Sequence, residues 1–231
     1  HDIAHVIVDQ RKYAAHSVDE FLQTTGVERS TLKGNRADVP AVDWEQNITI
    51  SKENKEEEVP SLPGLFAKHA PKLNGVLMWL ARTGWPQITV AVQELARNVC
   101  SWTDLVDKQA RRVMTYIVAH MSTGFLMLRV SPLDRKQGKL KLLVFSDADH
   151  AGNISTRKSV SGAAIFLAGP NGTWSMLDWI SRTQRTISLS TAEAELLAAQ
   201  LALRECLTIL ILLDLFKIEV EVELLVDSAA A

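Results

Sequence analysis

Five carboxylates in the second half of the chain have the types and spacing to do chemistry. Asp147 and Asp149 close an apolar run, Leu142-Leu143-Val144-Phe145, that carries no helical period and reads as a buried strand. Acids at the carboxyl end of such a strand lie where open α/β sheets gather their ligands. Glu193 and Glu195 follow at the start of an apolar helix, and Asp227 closes the last strand-like segment, Val220–Val226. Helical steps from Glu195 meet Ala199, Ala202, Cys206, Leu210 and Leu213, so this acid heads the stripe that faces a sheet. Glu193 heads a polar line through Gln200 and Arg204. With Ser190 it has capping-box spacing, which explains it as a helix cap.

Three carboxylates brought together repel one another and raise each other's pKa unless a cation neutralises them. Oxygen donors without His or Cys suit Mg²⁺ or Mn²⁺ better than zinc. Two such ions, about 3.5–4 Å apart, activate water and stabilise the leaving oxygen in phosphodiester hydrolysis. Charge around the acids agrees with a phosphate-bearing partner. Net charge is −2 over the whole chain, yet Arg135 to Arg185 holds eight Lys/Arg against three acids, an excess of +5. Arg157, Lys158, Arg182 and Arg185 are the candidate phosphate contacts.

The elements that must position these groups follow from pattern. Phe125–Val130 reads as a strand, and the strand at Leu142–Phe145 comes after a loop. Ser161–Ala168 and Thr173–Ser181 are strands joined by the turn Gly169-Pro170-Asn171-Gly172, giving a three-strand antiparallel meander. A helix from Ser190 to about Phe216 leads to the last strand. Strand, long helix and strand make a crossover, so the final strand should run parallel to its neighbour.

Upstream, Ile3–Val8 is a short apolar-polar stretch and Arg11–Leu22 is helix-like. Lys52–Glu58 reads as an exposed acidic linker. Lys72–His120 has the period of helices. Val76, Leu77, Leu80 and Ala81 share one face, and Pro86 opens a second helix. Thr103 caps a third, whose stripe is Leu105, Val106, Ala110, Val113, Ile117 and Val118. Trp79, Trp85 and Trp102 are expected as core and junction filler. Cys100 and Cys206, the only two cysteines, fall in apolar helical patterns and are expected to be reduced core residues. The histidines show no metal-ligand spacing. Leu207–Leu213, the most apolar run, is too short to span a bilayer, and a soluble intracellular chain is expected.

Three segments together resemble the ribonuclease H domain of copia-type retrotransposon polyproteins: Ser146–Gly152 (SDADHAG), Thr156–Gly162 (TRKSVSG) and Ser188–Glu195 (SLSTAEAE). Gln10, Tyr13, Gly75–Ile88 and Arg112–Gly124 look like the end of a copia-type reverse transcriptase and its connection. The resemblance implies an α/β fold with a ribonuclease H-like mixed sheet: the meander plus a parallel strand after the long helix, preceded by a mainly helical connection segment. It implies a reverse-transcriptase-like end over residues 1–50, an acidic linker over 51–64, the connection over 65–130 and an incomplete ribonuclease H-like domain over 131–231.

By the same resemblance Asp147, Glu195 and Asp227 are the metal-binding catalytic acids, with two Mg²⁺ or Mn²⁺ ions. The reaction implied is cleavage of the RNA strand of an RNA–DNA hybrid, recognised by shape and 2′-hydroxyls. The implied partners are the hybrid and the reverse transcriptase portion of the same polyprotein, with no membrane and no small-molecule cofactor. The expected location is intracellular, in cytoplasm, nucleus or a retroelement particle. His150 stands where the family usually has Trp, and the chain ends four residues after Asp227, before the family's fourth carboxylate. One competing expectation is therefore a truncated, inactive module that only scaffolds or grips duplex. Another is a haloacid-dehalogenase-type phosphatase, with Asp147 as nucleophile and Asp149 as acid/base.

Overall fold

The computed structural model describes residues 4–32, 62–152 and 156–227. The acidic linker at Lys52–Glu58 lies outside the described residues. The chain divides into two compact units: residues 1–8 with 126–231, and residues 9–125.

The first unit is built on a six-stranded mixed sheet. Its strands are β1 (Ala4–Asp9), β2 (Phe125–Val130), β3 (Lys141–Asp149), β4 (Val160–Ala168), β5 (Trp174–Thr183) and β6 (Glu221–Val226), in the order β1-β2-β5-β4-β3-β6. β3, β4 and β5 form the antiparallel meander, and β6 runs parallel to β3. Alternation sets the faces. Leu142, Val144, Ser146 and Ala148 of β3, with Ser161, Ala163, Ile165 and Leu167 of β4, are buried on one side. A 25-residue helix (Thr191–Leu215) seats Ala198, Ala199, Ala202 and Cys206 inward. These small side chains let the helix axis approach the sheet closely. Full burial of Leu142 or Ile165 in this layer contributes about 1.5–3 kcal/mol each.

The whole helix around Leu207–Leu213 is long and apolar enough to cross a membrane by length and composition alone, a test that the core helix of a soluble protein also passes. The run continues on both sides because Leu196, Leu203, Ile211 and Leu215 face outward while the alanines face the sheet.

The β4–β5 turn is fixed by a buried acid. Asp134 lies in a short helix, Pro132–Gln137. It accepts from the Asn171 amide (2.9 Å) and side chain (2.7 Å), and from the Thr173 amide (3.2 Å) and hydroxyl (2.7 Å). Gly169 leaves no room for a side chain, because a Cβ there would lie 2.5 Å from the Asp134 carboxyl carbon.

The second unit is helical, with helices at Arg11–Thr25, Ala70–Thr83, Thr89–Arg97 and Asp104–Ala119. Its core gathers Val18, Phe21, Phe66, Leu77, Leu80, Ile88, Val92, Leu95, Val113 and Ile117. Pro86 lies in a 3-10 turn, Pro86–Ile88, that leads directly into the third helix. Thr103 occupies the cap position of the fourth helix, but its hydroxyl makes no capping bond. Asp107, one turn on, does the anchoring. It accepts from the amides of Leu65 (2.5 Å) and Phe66 (3.2 Å) and from the Trp102 indole (2.7 Å). Trp85 and Trp102 are buried as expected, whereas Trp79 is 55% exposed on the outer face of its helix. Cys206 is buried as expected, but Cys100 is exposed, in the turn after the third helix, and is not the core residue expected.

The mixed α/β architecture of the first unit is compatible with a ribonuclease H-like fold.

Candidate metal centre

Register brings the acids to one place. Ser146 of β3 pairs with Val226 of β6 across the parallel ladder, so the residues that follow, Asp147 and Asp227, stand side by side. Glu195 lies in the first turns of the long helix. Ser190 caps that helix by accepting from the Glu193 amide (3.1 Å), and the Glu193 carboxylate in turn accepts from the Leu189 amide (2.7 Å). Glu193 is thus spent on the cap and Glu195 points inward, 4% exposed.

One ligand oxygen from each of Asp147, Glu195 and Asp227 lies within 4.8 Å of the others. The two aspartates are exposed and Glu195 is buried, so the cluster opens to solvent on one side. Burial, then the charges of Asp227 and Asp147, push the Glu195 carboxyl above its ordinary value, partly opposed by the Ala148 backbone N–H. Glu195 Oε2 is buried without a hydrogen-bond partner. A buried acceptor left over between two further carboxylates fits a cation. The donors are all hard oxygens, so the residues present can hold a divalent ion of the Mg²⁺ or Mn²⁺ type.

Asp149, two residues beyond Asp147, lies outside this cluster. Its carboxylate fills the space where a side chain on Gly152 would stand. The basic residues share the acids' edge of the sheet. Asp147 is opposite Gly162 and Gly162 is opposite Ser181, so the carboxyl end of β3, the amino end of β4 and the carboxyl end of β5 coincide. Arg182 is at the end of β5, Arg185 follows it, and Arg157 and Lys158 precede β4. Arg157, Arg182 and Arg185 are exposed, and Arg157 has left-handed backbone (φ 58°).

Sequence reasoning missed the buried polar residues around the acids. Gln184 hydrogen-bonds to both Ser161 and Ser188, and Ser188 O lies 3.3 Å from His150 Nε2. No periodicity marks them, since they come from a strand, a strand end and a loop.

The fold and site define an α/β protein with an acidic, metal-competent cluster at the carboxyl edge of a mixed sheet. No protein-family model matches the chain. Over 140 residues, 60% of this chain and 90% of the relative, it is 30% identical to the secreted RxLR effector protein 161 of Plasmopara viticola, and it belongs to that protein's family. It is also 30% identical over 131 residues to the uncharacterized mitochondrial protein AtMg00810 of Arabidopsis thaliana. That match covers 57% of this chain and about half, 49%, of the relative.

Proposed function

We propose that the first unit is a ribonuclease H-like domain of a copia-type retroelement, which hydrolyses the RNA strand of an RNA–DNA hybrid. The observation that carries this reading is the convergence of Asp147, Glu195 and Asp227 with an orphaned, buried Glu195 oxygen. The motif series at 146–152, 156–162 and 188–195 supports the copia assignment, and the distant relationship to the Arabidopsis mitochondrial protein is in keeping with it.

In this reading Asp147, Glu195 and Asp227 hold two divalent ions. When bound, such ions supply a nucleophile at neutral pH and charge stabilisation for the leaving oxygen. The chain's own residues do the rest. Asp147 and Asp227, on a rigid parallel pair, fix the spacing of the oxygens, and buried Glu195 excludes water from the inner side. Arg157, Lys158, Arg182 and Arg185 grip the phosphate backbone along the same sheet edge, which orients the duplex without reading its sequence.

The test is a hybrid labelled separately on each strand and incubated with the protein in Mg²⁺. Cuts confined to the RNA strand support the proposal, and cuts in both strands or neither contradict it.

A further inference from the structure

We infer that Gln184 is a positioning residue for the acid cluster, holding the peptide that carries Glu195 at a fixed distance from the strand pair that carries Asp147. The inference rests on the metal-site reading above and adds to it the residue that sets the site's geometry.

Gln184 lies just beyond β5 and is 8% exposed. Both hydrogens of its side-chain amide find acceptors: Nε2 donates to Ser161 Oγ (3.0 Å) and to the Ala194 carbonyl (2.9 Å). Its Oε1 accepts from the Ser188 hydroxyl (2.6 Å), and its backbone N–H donates to Ser159 O (2.8 Å). A single neutral side chain thereby ties β4, the loop before the long helix and the first turns of that helix.

Two of these partners border the acids directly. The Ala194 carbonyl belongs to the same planar peptide unit as the Glu195 nitrogen, so the bond from Gln184 fixes that plane. Ser161 pairs with Ala148 across the β3–β4 ladder, one residue from the Asp147–Gly162 pair. The same Ala148 turns its backbone N–H toward the Glu195 carboxyl, partly offsetting the rise in its pKa. The path from Asp147 to Glu195 therefore runs through Ala148, Ser161 and Gln184, and every link is buried or backbone. A displacement of about an ångström at a ligand is enough to degrade a metal site.

The amide is suited to this place by its chemistry. It offers two donors where two oxygens need them, and it adds no charge beside three carboxylates. A glutamate would set an oxygen against the Ala194 carbonyl, and a methionine would leave that carbonyl and the two serine hydroxyls without their partner.

The experiment compares the full chain with Gln184→Met and Ser188→Ala. It measures Mn²⁺ affinity by calorimetry, hybrid affinity by anisotropy without divalent ion, and kcat and KM for hybrid cleavage. A merely structural role would lower thermal stability and leave the Mn²⁺ affinity of the folded protein alone. For a positioning role, Gln184→Met should lose about tenfold or more in Mn²⁺ affinity and in kcat, with KM and hybrid affinity within about twofold. Ser188→Ala, which removes one donor to Gln184, should lose less. It also carries the test if Gln184→Met fails to fold. Mn²⁺ affinity within twofold of the parent in the folded variants would overturn the inference, as would a parent that binds no Mn²⁺. Failure of the ribonuclease reading shows elsewhere, as a parent that binds Mn²⁺ and cuts no hybrid. In that case the Mn²⁺ arm still decides the role of Gln184.

Discussion

Asp147 and Asp227 each follow one member of a matched pair, Ser146 and Val226, on adjacent parallel strands. Their separation is therefore set by backbone hydrogen bonding and not by side-chain packing, and Glu195 completes the cluster from the helix above. A substitution that keeps shape and removes charge should change the chemistry and leave the fold intact.

Asp227→Asn tests this directly. Divalent cations that bind only the folded state stabilise it by RT ln(1 + L/Kd), with L the free cation concentration, and so raise its melting temperature. Millimolar Mn²⁺ should stabilise the parent and have little effect on the variant. Equal shifts in the two proteins would place Mn²⁺ elsewhere.

Glu195 gives a pH dependence with a definite sign. Burial and the neighbouring charges of Asp227 and Asp147 raise its folded-state value above that of the unfolded chain. The folded protein thus binds the proton more tightly, and this stability is lost as pH rises through the folded value. Glu195→Gln should flatten that loss and, without divalent ion, melt higher than the parent near neutral pH. For a chain of this size the gain is about 2–4 °C per kcal/mol. Parallel melting-temperature profiles from the ordinary carboxyl value of 4.5 up to about neutral pH would contradict the assignment.

Asp134 is expected to matter for stability and not for cleavage chemistry. Burial opposes its ionisation, but bonds from Thr173 and Asn171 outweigh that and leave its value below the ordinary one. Its contribution is present above the unfolded value and is lost as pH falls through the folded one. Asp134→Ala leaves buried donors unpaired and should cost about 2–4 kcal/mol in urea unfolding at neutral pH. A cost below about 0.5 kcal/mol, the range of ordinary surface substitutions, would show that the turn holds without it.

The basic edge predicts a salt effect. Each phosphate contact contributes roughly 0.7–0.9 to the slope of log affinity against log salt. Arg182→Ala with Arg185→Ala should reduce the magnitude of that slope for hybrid binding by about 1–2. An unchanged slope would remove these two residues from the interface.

Much of the site was legible because it depends on local pattern. The strand ending at Asp147 stood out by its apolar run, and Glu195 by the apolar stripe beneath it. The turn at Gly169–Gly172 and the capping pair Ser190 and Glu193 carried their own chemistry. What sequence did not reveal depends on distant partners. β1 and β2 lie side by side in the sheet although more than a hundred residues separate them in the chain. Asp107 and Asp134 look like ordinary surface acids until the amides they accept from are known. Trp79 shares the helical period of its neighbours but falls on the outward side, and aromatic character alone does not choose the face. Gln184 is one polar residue among several after β5, and only the folded chain brings Ser161, Ser188 and Ala194 around it.

The measurement closest to the central claim is cleavage of an RNA–DNA hybrid by the parent and by Asp147→Asn, in Mg²⁺ and in Mn²⁺, with hybrid affinity measured in parallel. The parent should cut the RNA strand, the variant should lose about a hundredfold or more in that cleavage, and both should bind hybrid with similar affinity. Cleavage that survives Asp147→Asn, or a parent that binds hybrid and leaves it uncut in both metals, would contradict it.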